Sequence, residues 1–358
     1  MNIQKMKKRI FLPVKQNYER KLHNLNYLFF ELTHRCNLEC VHCGSDCVRN
    51  DTVPDLPKEK IIEVLKEIKE HQNSKKVMIV LSGGEPTIYP DVWNLGREIY
   101  DLEFPWGMVT NGFSWTKHTI ADAKKARMHS VTVSLDGLEE NHNWLRGHSE
   151  SFRRAKKAIE MLVEDPFWKA MDVITCVNRK NIDELDAVRE MLIKMGVKKW
   201  RFFTISPIGR AVENKDLFLD EAQFKKLMKK ILHYKKIGGI KVNYSESGYL
   251  GCYEHKVRSH DFFCRAGINV SGIMVNGDIL ACPNNCRDFR QGNVFEDSFM
   301  DVWENKYEVF RNRNWMKKGA CKNCSEWRMC KGGAFHLWEP DGDSIKLCPY
   351  KEFNLKEE

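Results

Sequence analysis

Residues 27–43 read YLFFELTHRCNLECVHC, an apolar stretch that runs straight into Cys36-Asn-Leu-Glu-Cys40-Val-His-Cys43. Aromatic and aliphatic residues over Tyr27–Thr33 predict a buried strand, and the C-x3-C-x2-C triplet then falls in the loop that leaves it. Three thiolates on a four-iron cluster leave one iron without a protein ligand. Such an open position separates a reactive metal site from a closed structural one. The bland alternative is a zinc site that takes Cys47 or a nearby histidine as its fourth ligand.

Outward from this stretch, residues 27–205 alternate short β-rich runs with longer amphipathic ones, the pattern of parallel βα units. Six strands are expected: Tyr27–Thr33, Val77–Leu81, Gly107–Thr110, Val131–Leu135, Asp172–Val177 and Trp200–Ile205. Between them lie helical patterns at Lys58–His71, with Ile61, Ile62, Val64, Leu65 and Ile68 on one face, and at Ile182–Met195. The fold class is therefore α/β, a partial (β/α)6 TIM-like barrel, with its site at the C-terminal ends of the strands. Ser82-Gly83-Gly84-Glu85-Pro86 stands at the end of the second strand, where glycines let backbone approach a ligand and a carboxylate can accept from an ammonium group.

The triplet and the GGEP turn, in this order and one βα unit apart, resemble the radical S-adenosylmethionine (SAM) superfamily over residues 27–210. The resemblance implies that Cys36, Cys40 and Cys43 hold a [4Fe–4S] cluster whose fourth iron binds SAM, and that Gly83, Gly84 and Glu85 meet the methionine amino group. Reductive cleavage of the sulfonium would release a 5′-deoxyadenosyl radical that takes a hydrogen atom from substrate. Asn111 in Thr110-Asn111-Gly112, Ser134 in Ser134-Leu-Asp136-Gly137, and Arg146 beside Gly147 match further cofactor positions, and Pro207-Ile-Gly209-Arg210 resembles the loop that passes the adenine. His42, just before the third cysteine, takes a position that is often aromatic and near adenine.

From Tyr244 to Tyr350 the chain turns to cysteine, glycine and turn residues, with alternating runs at Ile268–Val275 and Ile279–Cys282 around the hairpin signal Asn276-Gly277. This region resembles the SPASM extension, which implies one or two auxiliary Fe–S clusters, expected as [4Fe–4S]. Cys264, Gly277 and Cys282 fit its opening pattern; Cys321, Cys324, Cys330 and Cys348 fit the outer cluster. Ala334 stands where another cysteine is expected, so Cys252 and Cys286 are candidates to complete an inner set with Cys264 and Cys282, unless that cluster keeps an open iron. Cys176 reads as a core residue. The lysine pairs at 225–226, 229–230 and 235–236 read as the solvated face of a helix near Asp220–Lys236.

The 358 residues suit about two domains. They divide into a basic N-terminal extension (1–26), the barrel (27–210), a linking helix (211–243) and the cluster region with its tail (244–358). The basic N-terminus carries an apolar run of only five residues, too short for a signal peptide, so the cytoplasm is expected. In that reducing compartment thirteen cysteines, an odd number at short spacings, point to metal. No run is long enough to span a membrane. The formal charge of +9 falls once thiolates bind metal, and nucleic acid is not the expected partner, although a radical enzyme acting on RNA would fit the same chemistry. The resemblance implies a ribosomally made peptide or protein as substrate, modified by a crosslink or a similar change, and a flavodoxin- or ferredoxin-like electron donor. The competing readings are formylglycine formation of the sulfatase-maturing type, whose members carry an aspartate where Pro283 stands, and a non-catalytic Fe–S or zinc protein. Only 26 residues precede the barrel, so a leader peptide is expected to bind the barrel, the Tyr244–Asp261 connection or a partner.

Overall fold

The computed structural model describes residues 3–168, 170–245, 248–339, 342 and 344–356, with side chains from Phe11 onward; the remainder, including residues 246–247 of the Tyr244–Asp261 connection and the outermost ends of the 1–26 and 244–358 segments, lies outside the described residues. The basic N-terminal stretch is a helix, α1 (Ile3–Leu22). It docks on the C-terminal region: Gln16 donates to the Met329 carbonyl at 3.1 Å, and Leu12 packs with Tyr249 and Met329.

Strands β1 (Tyr27–Glu31), β2 (Met78–Ser82), β3 (Trp106–Thr110), β4 (Ser130–Ser134), β5 (Ala170–Val177) and β6 (Lys199–Thr204) lie side by side in chain order, all parallel, each close to its expected place. Parallel neighbours need helical crossovers. These are α2 (Lys58–His71), α3 (Val92–Asp101), α4 (Lys117–Lys125), α5 (Glu139–Arg146) followed by α6 (Ser151–Glu164), and α7 (Leu185–Lys194). In α2 the 3.6-residue period buries Ile61, Val64, Leu65 and Ile68, each contributing about 1.5–3 kcal/mol of transfer free energy, while Ile62 lies at the margin.

The sheet extends beyond the six expected strands at both edges. Helix α8 (Glu221–Ile237), begun by a capping box of Asp220 and Gln223, leads into β7 (Lys241–Tyr244), which pairs parallel with β6. Its four residues, Lys-Val-Asn-Tyr, bury only Val242 and Tyr244, too short a pattern to register as a strand. At the other edge β8 (Val270–Ile273) pairs parallel with β1, and β9 (Asp278–Leu280) and β10 (Gly292–Asn293) continue the same ten-stranded sheet. The hairpin expected at Asn276-Gly277 is present between β8 and β9. The cysteine-rich region is thus joined to the barrel strand that precedes the triplet, and one hydrophobic core runs through both.

Candidate active site

Leaving β1, the chain carries Cys36 and Cys40, both 8% exposed, into a cavity of about 220 Å³ at the C-terminal ends of the strands. Cys43, Gly83, Gly84, Glu85, Asn111, Ser134, Arg146 and His42 line the same cavity, so the structure brings the expected radical-site residues together. Asn111 Nδ2 lies 3.8 Å from Cys36 Sγ, and Arg146 Nη1 is 3.8 Å from Cys40 Sγ. Burial pushes the Cys36 thiol up to about 12, whereas hydrogen bonds, chiefly from the Cys47 side chain, hold Cys43 down at about 6.

The GGEP turn is built against β1's exit. A Cβ on Gly84 would lie 2.0 Å from the Arg35 carbonyl oxygen and one on Gly83 2.5 Å from that of Thr33. Gly84 N–H donates to Thr33 O at 2.7 Å, so the glycines serve the crossing of two chain segments as well as any ligand. Glu85, 1% exposed, accepts from Thr87 Oγ1 (2.7 Å) and N–H (3.3 Å), Thr110 Oγ1 (2.7 Å) and Asn111 N–H (2.8 Å). Its protein role is therefore to fix the end of β3, which aims Asn111 at Cys36. Burial still raises its carboxyl above the usual range.

Arg146 ends α5, and its position depends on the glycine that follows. Gly147 adopts φ +67°, and a Cβ there would lie 2.5 Å from Glu39 O in the triplet loop. Asp136, fully buried, meets Arg146 Nε at 2.5 Å and accepts from the Cys176 N–H at 2.8 Å. Burial opposes the Asp136 carboxylate, but chiefly the Arg146 guanidinium, helped by the Cys176 N–H, outweighs it and holds its pKa low. Sequence reasoning places Asp136 in a motif without giving it a role; the signal for one is a carboxylate just beyond a strand end. Arg210 likewise stands in the sequence only as part of a loop. Its side chain donates to Cys40 O at 2.9 Å and to Cys47 O at 3.0 Å. Burial lowers His42 to about 4, keeping the imidazole neutral, and its Nδ1 has no hydrogen-bond partner among the described residues.

None of the thirteen cysteines is joined in a disulfide. Cys321, Cys324, Cys330 and Cys348 converge on one pocket and act electrostatically on one another. The expected inner set has more varied surroundings. Cys252 N–H donates to Leu355 O, while Cys286 donates to Asp288 at 3.2 Å and lies near Lys346. Burial works against the Cys264 thiolate, but Arg313 beside it lowers the net pKa, and that buried guanidinium also bridges Cys264 O and Gly333 O at 3.1 Å each, next to the departing Ala334.

Cys282, Pro283 and Asn284 form one wall of a second cavity, about 1080 Å³, inside the barrel. It shares Ser82, Gly83 and Val109 with the thiol cavity, and Thr132, Asp172 and Arg201 form a hydrogen-bonded cluster on its side. Where β1 ends, Glu31 accepts from Arg287 at 3.1 Å and lies 3.3 Å from His34, tying the 286–289 loop to the barrel.

The radical SAM superfamily profile matches residues 30–192, and the SPASM profile, an iron–sulfur cluster-binding domain, matches 264–325. Mycofactocin maturase MftC of Mycolicibacterium smegmatis is 30% identical over 325 residues, 89% of this chain and 80% of that protein. The chain belongs to the radical SAM superfamily. An AdoMet-dependent heme synthase of Methanosarcina barkeri is 26% identical over 90% of this chain and 94% of its own length. Among solved structures, SuiB of Streptococcus suis bound to S-adenosylmethionine superposes with TM-score 0.68 at 20% identity, covering 89% of this chain and 76% of that one. Native anSMEcpe with bound AdoMet gives 0.70 at 19%, covering 92% and 95%. Both share the fold of this chain. As a radical SAM enzyme with a SPASM domain, the chain works with a [4Fe–4S] cluster and SAM and carries auxiliary Fe–S chemistry. The donor set fits: three thiols, a neutral imidazole with an orphaned Nδ1 and a buried guanidinium share one cavity. No helix among the described residues is long and apolar enough to cross a membrane.

Proposed function

We propose that this enzyme modifies a ribosomally made peptide by hydrogen abstraction, installing a crosslink or a similar change. The observation that carries the reading is the pair of adjoining cavities. The thiol cavity shares walls with a barrel space of about 1080 Å³, lined in part by Cys282 and large enough for several side chains of a peptide. The relatives support the substrate class: MftC is a maturase, and SuiB has been solved with its precursor peptide SuiA.

In this reading Cys36, Cys40 and Cys43 hold the radical cluster, and Gly83, Gly84, Glu85, Asn111, Ser134, Arg146 and His42 surround SAM. Cys321, Cys324, Cys330 and Cys348 hold the outer auxiliary cluster, and Cys252, Cys264, Cys282 and Cys286 the inner one. Bound together, cluster and SAM supply a 5′-deoxyadenosyl radical on one-electron reduction. The protein's own part is positioning. Glu85 locks the end of β3, Asp136 keeps Arg146 charged and directed at Cys40, and the neutral His42 offers its Nδ1 to a ligand donor. The electron donor is a flavodoxin- or ferredoxin-like protein, and the thiol-held clusters call for a reducing compartment, the cytoplasm.

The test is anaerobic incubation with SAM, a reductant and each short peptide encoded beside the gene. The expected result is 5′-deoxyadenosine together with a mass change in one peptide. Deoxyadenosine with every peptide unchanged would overturn the peptide reading. The heme-synthase likeness is the competing one, and heme formation without peptide would favour it.

A further inference from the structure

Branched apolar side chains ordinarily fill the inside of a parallel barrel. In the larger cavity of this one they line a single side. Strands β1–β3 contribute chiefly apolar groups such as Phe29, Met78, Val80 and Val109, whereas β4–β6 contribute Thr132, Asp172 and Arg201. On β6 the alternation of side chains packs Trp200 and Phe202 with Tyr234 of α8, which leaves Arg201 and Phe203 facing the cavity. Thr132 Oγ1 donates to Asp172 Oδ1 at 2.6 Å, and Asp172 also accepts from Arg201 Nε and, at 3.2 Å, from Arg201 Nη2. The same Nη2 donates to Thr132 Oγ1 at 3.0 Å. Arg201 Nη1 has no partner among the described residues, and the side chain is 32% exposed although it lies inside the barrel.

We propose that Arg201 is a substrate-specificity residue: fixed by Asp172 and Thr132, it offers Nη1 to a carboxylate of the peptide substrate, on a side chain or at the C-terminus, and so sets which part of the peptide faces the thiol cavity. This rests on the reading of the enzyme as peptide-modifying. A pair that only joined β5 to β6 would need neither a free donor nor open space before it. A guanidinium suits the task, because its planar fork can hold one carboxylate while presenting donors to another. The other charges of the cavity favour an anionic guest. The two carboxylates among its lining residues are both engaged, Asp172 by Arg201 and Glu31 by Arg287 and His34. Lys76 and Lys199 line it too and make no ion pair among the described residues. The ladder sets the reach. Arg201 stands opposite Ile174, and Ile174 opposite Ser134 of the thiol cavity, so two strand spacings, about 10 Å, lie between them. That is about the span of three extended residues, so a carboxylate held by Arg201 leaves its chain neighbours beside the radical site.

The probes are the short peptides encoded beside the gene, each made with a free C-terminus, as the C-terminal amide, and with Asp and Glu replaced by Asn and Gln. Their binding to the full-length, anaerobically reconstituted chain, with SAM and no reductant, is measured by calorimetry for wild type, Arg201→Gln and Arg201→Lys. The expected result is a peptide that binds wild type and loses about 10- to 100-fold in affinity when one kind of carboxylate is removed. Arg201→Gln should bind the acid form as weakly and no longer distinguish it from the neutral one. Loss in the amide identifies the C-terminal carboxylate; loss in the Asn and Gln form identifies a side chain. Arg201→Lys keeps a charge beside Asp172, controls for misfolding and should fall between wild type and Arg201→Gln, with iron and SAM binding unchanged in both variants. Wild-type affinity in Arg201→Gln, an equal loss for acid and neutral peptides, or a loss that tracks iron or SAM binding would overturn the proposal. So would a peptide whose carboxylates can all be removed without effect. A peptide that changes mass equally fast in wild type and Arg201→Gln would overturn this role and leave the peptide reading standing, whereas deoxyadenosine with no peptide bound or changed would overturn both.

Discussion

The triplet loop and the cysteine-rich C-terminal region both gather thiols, but they do so by different means. Around Cys36 and Cys40 the main supporting groups come from the ends of strands and a helix of the barrel: Glu85 after β2, Asn111 after β3, Asp136 after β4 and Arg146 at the end of α5. The site is therefore built by the sheet before any metal arrives. In the C-terminal region, Cys321, Cys324 and Cys330 lie in turns and short helical pieces, and beyond β8–β10 little regular structure holds them. There the metal must supply what hydrogen-bonded secondary structure supplies in the barrel.

The largest effect that would sharpen this contrast is removal of the outer cluster. Cys321→Ala with Cys324→Ala should cost about four irons and the amide-exchange protection of the region beyond residue 299, while β3–β5 stay protected. Equal protection in variant and wild type would mean that the region holds itself without metal. Next, Cys252→Ala and Cys286→Ala should each lower iron content by the inner cluster's share; full iron in both would end their assignment as replacement ligands for the absent cysteine at Ala334.

In the barrel, Asp136→Ala strands a buried Arg146 and should cost about 3–5 kcal/mol in chemical unfolding. A loss under about 1 kcal/mol would show that the ion pair is not what fixes the arginine. The smallest effect is at the seam between the regions. Burial opposes the Glu31 carboxylate, but His34 and Arg287 lower its pKa, and Glu31 in turn raises that of His34. The His34 contribution is full below its ordinary pKa and is lost as pH rises through the raised one; the Glu31 contribution is present above the ordinary glutamate pKa and is lost as pH falls through the lowered one. The stability difference between wild type and Glu31→Gln should accordingly peak between these limits and narrow at both ends of a thermal-melting series from about pH 4 to 9. A flat difference would mean that the seam is held by packing.

How much of this was legible follows the same divide. The six strands, the triplet, the GGEP turn and the outer quartet are local patterns, and local periodicity and spacing carry them. Strand β7 escaped because four residues with two buried side chains give no period. The β1–β8 pairing escaped because it joins Tyr27 to Val270, far apart in the chain, where only the fold decides. Asp136 and Arg210 stand inside recognisable motifs, yet their partners, Arg146 and the Cys40 and Cys47 carbonyls, depend on side-chain direction beyond any spacing rule. The bonds that Glu85 makes to Thr87, Thr110 and Asn111 are likewise fixed by the fold and by no spacing rule.

The most direct test of the account is iron and 5′-deoxyadenosine per chain after anaerobic reconstitution, in wild type and in the Cys36/Cys40/Cys43→Ala triple variant. The account predicts about twelve irons falling to about eight, or about eight to about four if the inner cluster is absent, with deoxyadenosine abolished. Iron unchanged by the triple variant, or zinc in its place, would contradict it.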